Sequence, residues 1–264
     1  MRIARGISVT NISKPISTAI VYDTDAVAFF TAASITDNTQ KSAVNTLVLS
    51  LKSANIWSKM KALYPVVGGV ASSHAVNLKT PGTYNLSFAT GWTHSSTGMT
   101  PNAATYANTN LMPSTAGLGQ NSTHFSYYSR TNINEGKYDM GISLSNYSII
   151  ASNSSNIFSA AINQATQSSA SNSDSRGLFM SNRTSSSSVV GFKNNNKLIS
   201  SNTVSTTPEN YSFYIASANR NNTPLTYSSK ECAFSSIGDG LTDTDATNFY
   251  NAVQTFQTTL GRQV

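Results

Sequence analysis

Val189-Val190-Gly191-Phe192-Lys193-Asn194-Asn195-Asn196-Lys197-Leu198-Ile199 reads as two short apolar runs folded back across three asparagines. Asn tolerates positive φ better than other residues that carry a side chain, so the triplet marks a tight hairpin turn. Working outward, a period of two recurs in Tyr84/Leu86/Phe88, Phe125/Tyr127, Tyr211/Phe213/Ile215 and Cys232/Phe234, with Asn, Ser, Gly and Pro between the runs. Ser168 to Ser175 and Ser185 to Ser188 read as low-complexity loops. Short alternating strands of this kind predict a mainly β fold, an antiparallel jelly-roll sandwich.

Two stretches break that period. Val44, Leu47, Val48 and Leu51 recur at helical spacing after Thr36 and Asp37, with Asn55 suited to the left-handed stop, which predicts a helix over 37–54 with Thr36 as N-cap. Phe249, Val253, Phe256 and Leu260 do the same after Thr242, which stands three residues before Asp245 in the spacing of a capping box. Gly261 and Arg262 suit the carbonyl end, so the second helix is expected over 243–260. The expected chain is thus a sandwich flanked by an N-terminal and a C-terminal amphipathic helix, with residues 23–264 forming one domain. Residues 1–22 hold Gly6 and Pro15 and no sustained period, and read as an extended arm. Its Ile3, Ile7, Ile12 and Ile16 need a covering surface, which makes them the candidate assembly anchor.

Charged residues are only 11% of the 264, against about 25% in ordinary soluble domains. Ser, Thr and Asn number 43, 31 and 28, so the surface is polar but mostly uncharged. Eleven Phe, twelve Tyr and two Trp spread along the chain supply the apolar area that disordered chains lack. The 17 Lys and Arg against 11 acids give +6, yet the cations are scattered singly, so no nucleic-acid partner is expected. One cysteine, Cys232, excludes an internal disulfide. No run approaches the roughly 20 apolar residues that span a bilayer, and no membrane partner is expected.

Glycoside hydrolysis ordinarily needs two carboxylates flanking the scissile bond. The chain has three glutamates, Glu135, Glu209 and Glu231, and its closest visible acidic grouping, Asp239/Asp243/Asp245, fits a turn and a first helical turn. No GxSxG elbow is present, and Val67-Gly68-Gly69-Val70 lacks the lysine of a phosphate loop. His74, His94 and His124 lie far apart in sequence. No catalytic residues, metal or cofactor are therefore expected, and the chain reads as non-enzymatic. For glycan contact the candidates are Trp92 and His94 in Gly91-Trp92-Thr93-His94 and Tyr128 in His124-Phe125-Ser126-Tyr127-Tyr128-Ser129-Arg130. Sugar rings lay apolar faces on aromatics and hydroxyls on polar neighbours. Aromatics of this spacing also fill sandwich cores, and Tyr127 and Tyr128 must point to opposite faces of one strand.

Several segments together resemble a module of tailed-phage and prophage virion proteins, especially fibre and decoration proteins. They are Asp23 to Phe29, Ile35-Thr36-Asp37 with Thr39-Gln40, Ile56 to Gly69, Gly91 to Ser95, Ser126 to Thr131, and Ile237 to Thr242 through Phe256 to Val264. The strand-turn-strand at 192–199, with Tyr211 to Ala216 and Ala233-Phe234, is similar to the concanavalin A-like, laminin G-like jelly roll. It departs from that family's hydrolases in lacking their carboxylate cluster and from its calcium lectins in lacking an acidic ligand loop. The resemblance implies a structural protein of the virion surface, made in the host cytoplasm: a head fibre, spike or capsid decoration subunit. Such a subunit would be a homo-oligomer that meets other virion proteins through its arm. The alternative it implies is a lectin module of a tail fibre that binds host surface glycans or another receptor.

Overall fold

The computed structural model describes residues 21–102 and 104–264. Among them the helices are α1 (Thr24–Ala32), α2 (Asn38–Ser53), the single turns α3 (Ala71–His74) and α4 (Pro113–Ala116), and α5 (Asp243–Thr259). The strands are β1 (Met60–Tyr64), β2 (Ser87–Phe88), β3 (Trp92–His94), β4 (Met99–Pro101), β5 (Ala107–Asn108), β6 (Thr123–Ser129), β7 (Met140–Ser143), β8 (Tyr147–Ser154) and β9 (Ile157–Gln164). They continue with β10 (Ser168–Ser171), β11 (Gly177–Ser185), β12 (Ser188–Lys193), β13 (Asn196–Ser201), β14 (Tyr214–Ile215), β15 (Ala218–Arg220), β16 (Thr223–Leu225) and β17 (Cys232–Gly238). The anchor candidates Ile3, Ile7, Ile12 and Ile16 lie outside the described residues.

The strands form two sheets. The front sheet runs β13-β12-β11-β6-β17-β4-β3 with β1 on β17, and the rear sheet runs β10-β9-β8-β7-β14-β5-β2 with the β15/β16 hairpin attached. Among the described residues all strand pairings are antiparallel except β15 with β7. The β12/β13 hairpin turns at Asn194, which takes φ 54° as an asparagine tolerates.

Two apolar layers hold this together. Phe125, Tyr127 and Phe179 of the front sheet meet Met140, Ile150, Phe158 and Ile162 of the rear sheet in the inter-sheet core. The opposite face of the front sheet, with Tyr128, Leu178, Met180, Phe192 and Phe234, is covered by α1, α2 and α5. Phe249 of α5 sits with its ring centre 6.0 Å from Phe234 and 5.7 Å from His124. Front-sheet strands are consequently buried on both faces, and all seven residues of β6 are buried.

That double burial corrects two readings. Tyr127 and Tyr128 do point to opposite faces, but neither is exposed, because the helical layer covers the face that Tyr128 occupies. Tyr128 is therefore withdrawn as a surface glycan contact; its hydroxyl accepts the backbone N–H of Val264 at 3.1 Å. Cys232 and Phe234, expected on one face by alternation, lie on opposite faces because a bulge interrupts the β17/β6 register between them.

The helix ends follow local chemistry. Asp37, one residue beyond the expected Thr36, caps α2 by accepting the Gln40 N–H at 2.8 Å. Thr242 and Asp245 form the reciprocal capping box of α5. Arg262 lies beyond α5 and turns inward. Its guanidinium donates to the carbonyls of Pro65, Val66 and Ala233 at 2.6, 2.7 and 2.9 Å and to Gln257 Oε1 at 2.6 Å, tying the chain's end to the front sheet. Burial lowers its pKa to about 9, so it keeps its charge at neutral pH. Replacing it leaves the buried Pro65 and Val66 carbonyls without their donor, while Ala233 keeps the Gln257 amide, and each such loss costs about 1–3 kcal/mol. Arg262→Ala is expected to lower unfolding free energy by about 3 kcal/mol or more in urea titrations, with only partial recovery in Arg262→Lys.

Candidate functional site at the sandwich rim

β3 ends the front sheet and β2 ends the rear sheet, and at this rim the two edges meet. Phe88 from β2 packs edge-on against Trp92 and His94 from β3, with ring centres 5.5 and 4.7 Å apart. Trp92 is half-buried and donates its indole N–H to the Tyr106 carbonyl at 3.3 Å. Two sequence candidates, Trp92 and His94, thus fall in one aromatic cluster, while Tyr128 lies in the core beneath the helices.

His74, from α3, completes the cluster. Its Nδ1 stands 2.9 Å from Nδ1 of His94, so one ring donates and the other accepts. The Nε2 of His74 is buried without a partner. A stranded lone pair costs less than a stranded N–H, which favours His74 as the Nδ1–H donor and His94 as the acceptor. Burial first, then the neighbouring His94 and Arg262, pull the His74 pKa down to about 3, and burial also lowers that of His94. The third histidine is elsewhere: His124 donates from Nδ1 to the Asp239 carbonyl at 2.6 Å, and burial lowers its pKa to about 4. Among the described residues no three His, Cys, Asp or Glu side chains converge as a metal site.

Every acid has a structural partner. Nine of the eleven stand in ion pairs. Asp37 caps α2, and Glu209 accepts the backbone N–H groups of Ser145 and Asn146. The sequence reading passed over one pair, Glu135 and Asp139, four residues apart. Both bind the Lys230 ammonium at 3.1 Å, which is wholly buried with Asp139. Burial pulls the Lys230 pKa down, but the two carboxylates outweigh it and hold the ammonium above its ordinary value. The spacing was visible; the lysine that binds both acids, more than 90 residues away, was not.

No protein-family model matches the chain, and no curated protein matches it. Solved structures do. A mutant of Trypanosoma rangeli sialidase displaying trans-sialidase activity superposes with a TM-score of 0.57 at 9% identity, over 80% of this chain and 39% of the sialidase. Trypanosoma rangeli sialidase itself gives 0.53 at 9% identity, over 80% and 38%. The same sialidase in complex with sialic acid gives 0.52 at 9% identity, over 78% and 38%. The chain therefore spans about two fifths of those enzymes' length, and the likeness is one of fold. It nevertheless overturns the expectation of a non-enzyme, because the solved chains that superpose on this one are sialidases. Scarce acids do not exclude catalysis, although a two-carboxylate mechanism here would have to draw on groups now held in ion pairs, a helix cap or backbone hydrogen bonds.

The histidines carry a pH dependence whose sign is fixed. His74 and His124 bind protons far less readily folded than at the ordinary pKa of 6.5. Below about pH 6.5 the unfolded chain binds more protons, so their contribution to stability is present above that pH and is lost as pH falls toward about 4 and 3. Urea midpoints are expected to drop steadily on acidification. The imidazole proton shifts of His74 and His124 are expected to stay at neutral-form values down to about pH 5. Titration of either ring near pH 6.5 would contradict the buried placement.

Proposed function

We propose that the chain is a surface subunit of a tailed-phage particle, a head fibre, spike or capsid decoration protein, built on a concanavalin A-like jelly roll flanked by α2 and α5. Its work in this reading is adhesion: residues 1–22 join it to other virion proteins and to its own copies, and the sandwich faces the surroundings. The observation that carries the reading is the engagement of all eleven acids within the fold, which leaves an exterior dominated by Ser, Thr and Asn groups. Such a surface offers many hydrogen-bonding groups with little electrostatic field, which suits dense display on a particle.

A glycan- or receptor-binding role is the second reading, favoured by the half-exposed rim. There the half-buried Trp92 and Phe88 rings lie beside the His94 ring, with ring centres 6.4 and 4.7 Å from it, and that ring is fixed by its hydrogen bond with His74. Aromatic faces beside fixed polar groups are what sugar rings use. Because one sialidase of this fold was solved with sialic acid, sialylated glycans are a rational first probe.

Deleting residues 1–20 is expected to leave a folded chain that no longer oligomerises or enters particles; normal incorporation would refute the anchor. On a broad glycan array, Trp92→Ala is expected to lose the binding that the intact chain shows. An intact chain that binds nothing on such an array would leave the particle role alone.

A further inference from the structure

Away from the rim, on the outer face of the rear sheet, lies a cleft of about 160 Å³ lined by Lys137, Tyr138, Ala151, Ser159, Gln167 and Thr226, among others. Ala151 and Ser159 are paired across β8 and β9, one step from Ile150 and Ala160, which face the inter-sheet core, so alternation turns them outward. Beside the cleft a small apolar cluster of Ile149, Ala161 and Ala218 lies under Tyr138 and Tyr147.

The polar groups of the cleft are set rather than loose. Gln167 Nε2 donates to the Tyr138 hydroxyl at 2.8 Å, which fixes the phenol and leaves its own O–H to donate, the Ser143 side chain being its neighbour within the protein. Thr226 Oγ1 accepts the Tyr138 backbone N–H at 3.1 Å, so its hydroxyl proton is also free to donate. No acid lines the cleft. Lys137 is exposed and has no ion pair among the described residues, in a chain whose acids are otherwise engaged. Arg220, the next cation near Tyr138, donates from Nε to the Ser143 carbonyl at 3.3 Å and likewise has no acid partner among the described residues.

From this geometry we infer that the cleft is a binding subsite for one acidic sugar unit, a pyranose carrying a carboxylate. The Tyr138 ring supplies an apolar wall, the Tyr138 and Thr226 hydroxyls and the Gln167 amide meet ring hydroxyls, and the Lys137 ammonium meets the carboxylate. The volume is below the roughly 300 Å³ at which pockets hold multi-ring ligands, so it suits one residue of a longer chain. A cation without an acid partner at the mouth discriminates against neutral sugars, because a charge-assisted hydrogen bond is about twice as strong as a neutral one. The subsite is separate from the Trp92 rim and goes beyond the adhesion reading by naming a ligand class.

The test uses the full chain and three probes followed by ligand-observed NMR titration: the methyl glycosides of glucuronic acid, N-acetylneuraminic acid and galactose. At least one acidic glycoside is expected to bind about tenfold or more tightly than the neutral one. Lys137→Glu, at an exposed position that leaves the fold intact, is expected to weaken it by about tenfold or more, and Gln167→Leu several-fold. Equal affinity for acidic and neutral probes, or a Lys137→Glu chain that binds like the wild type, overturns the inference. So does loss of binding in Trp92→Ala alone, which leaves glycan binding at the rim standing. Failure of the wild type to bind either acidic probe also overturns it, and the particle-incorporation assay then decides the adhesion reading independently.

Discussion

Burial of the front sheet on both faces is the constraint from which the rest of the molecule follows. A strand such as β6 has no solvent side, so each polar group it carries must find a partner in the protein. Ser126 bonds Ser236 at 2.7 Å, Ser129 bonds the Thr131 carbonyl at 3.1 Å, and His124 gives its proton to the Asp239 carbonyl. The sheet in turn requires its helical cover. Phe249, Val253 and Phe256 of α5 are buried, and each such side chain contributes about 1.5–3 kcal/mol when removed from water. Arg262 then holds the end of that cover against the loop after β1 and against Ala233 in β17. Helix, sheet and C-terminal segment depend on one another, and the rear sheet packs on a partner already fixed from behind.

What was legible in the sequence was chemistry confined to a few neighbouring residues. The Asn194 turn announces its hairpin through a conformation that few residues tolerate. The Thr242/Asp245 box and the spacing of Val44, Leu47, Val48 and Leu51 mark helices through contacts made within one or two turns. What was hidden depends on partners distant in the chain. Alternation says that Tyr127 and Tyr128 face opposite ways, but not that α5 covers the second. It says nothing of the extra residue that separates Cys232 from Phe234. At the rim, Trp92 and His94 were visible as an aromatic beside a polar ring, whereas the contact of His94 with His74 is set by α3 and the fold around it. The Tyr138 cleft escaped notice because its walls come from five separated segments, none with a motif of its own.

The charge distribution has the same origin. A chain with 11 acids and 17 cations uses nearly every acid to fasten one segment to another: Lys52 to the start of α1, Lys59 to the start of α5, and Lys230 to Glu135 and Asp139. A low acid count therefore reports how this fold is held together and carries little information about chemistry, which is why the inference from scarce acids to absent catalysis did not survive comparison with the sialidases that superpose on the chain.

The layer order also limits where the molecule can meet another. Both faces of the front sheet are occupied, one by the rear sheet and one by helices, and the inner face of the rear sheet is spent in the core. The outer face of the rear sheet, the edges where strands run out and the solvent side of the helices remain. At the edge the open groups are aromatic and neutral, because the histidines there stay unprotonated. On the outer face the open groups are a phenol, an amide, hydroxyls and a lysine without an acid partner among the described residues. The two surfaces therefore differ in the ligand chemistry they can favour, and that difference arises from which strands the fold leaves uncovered.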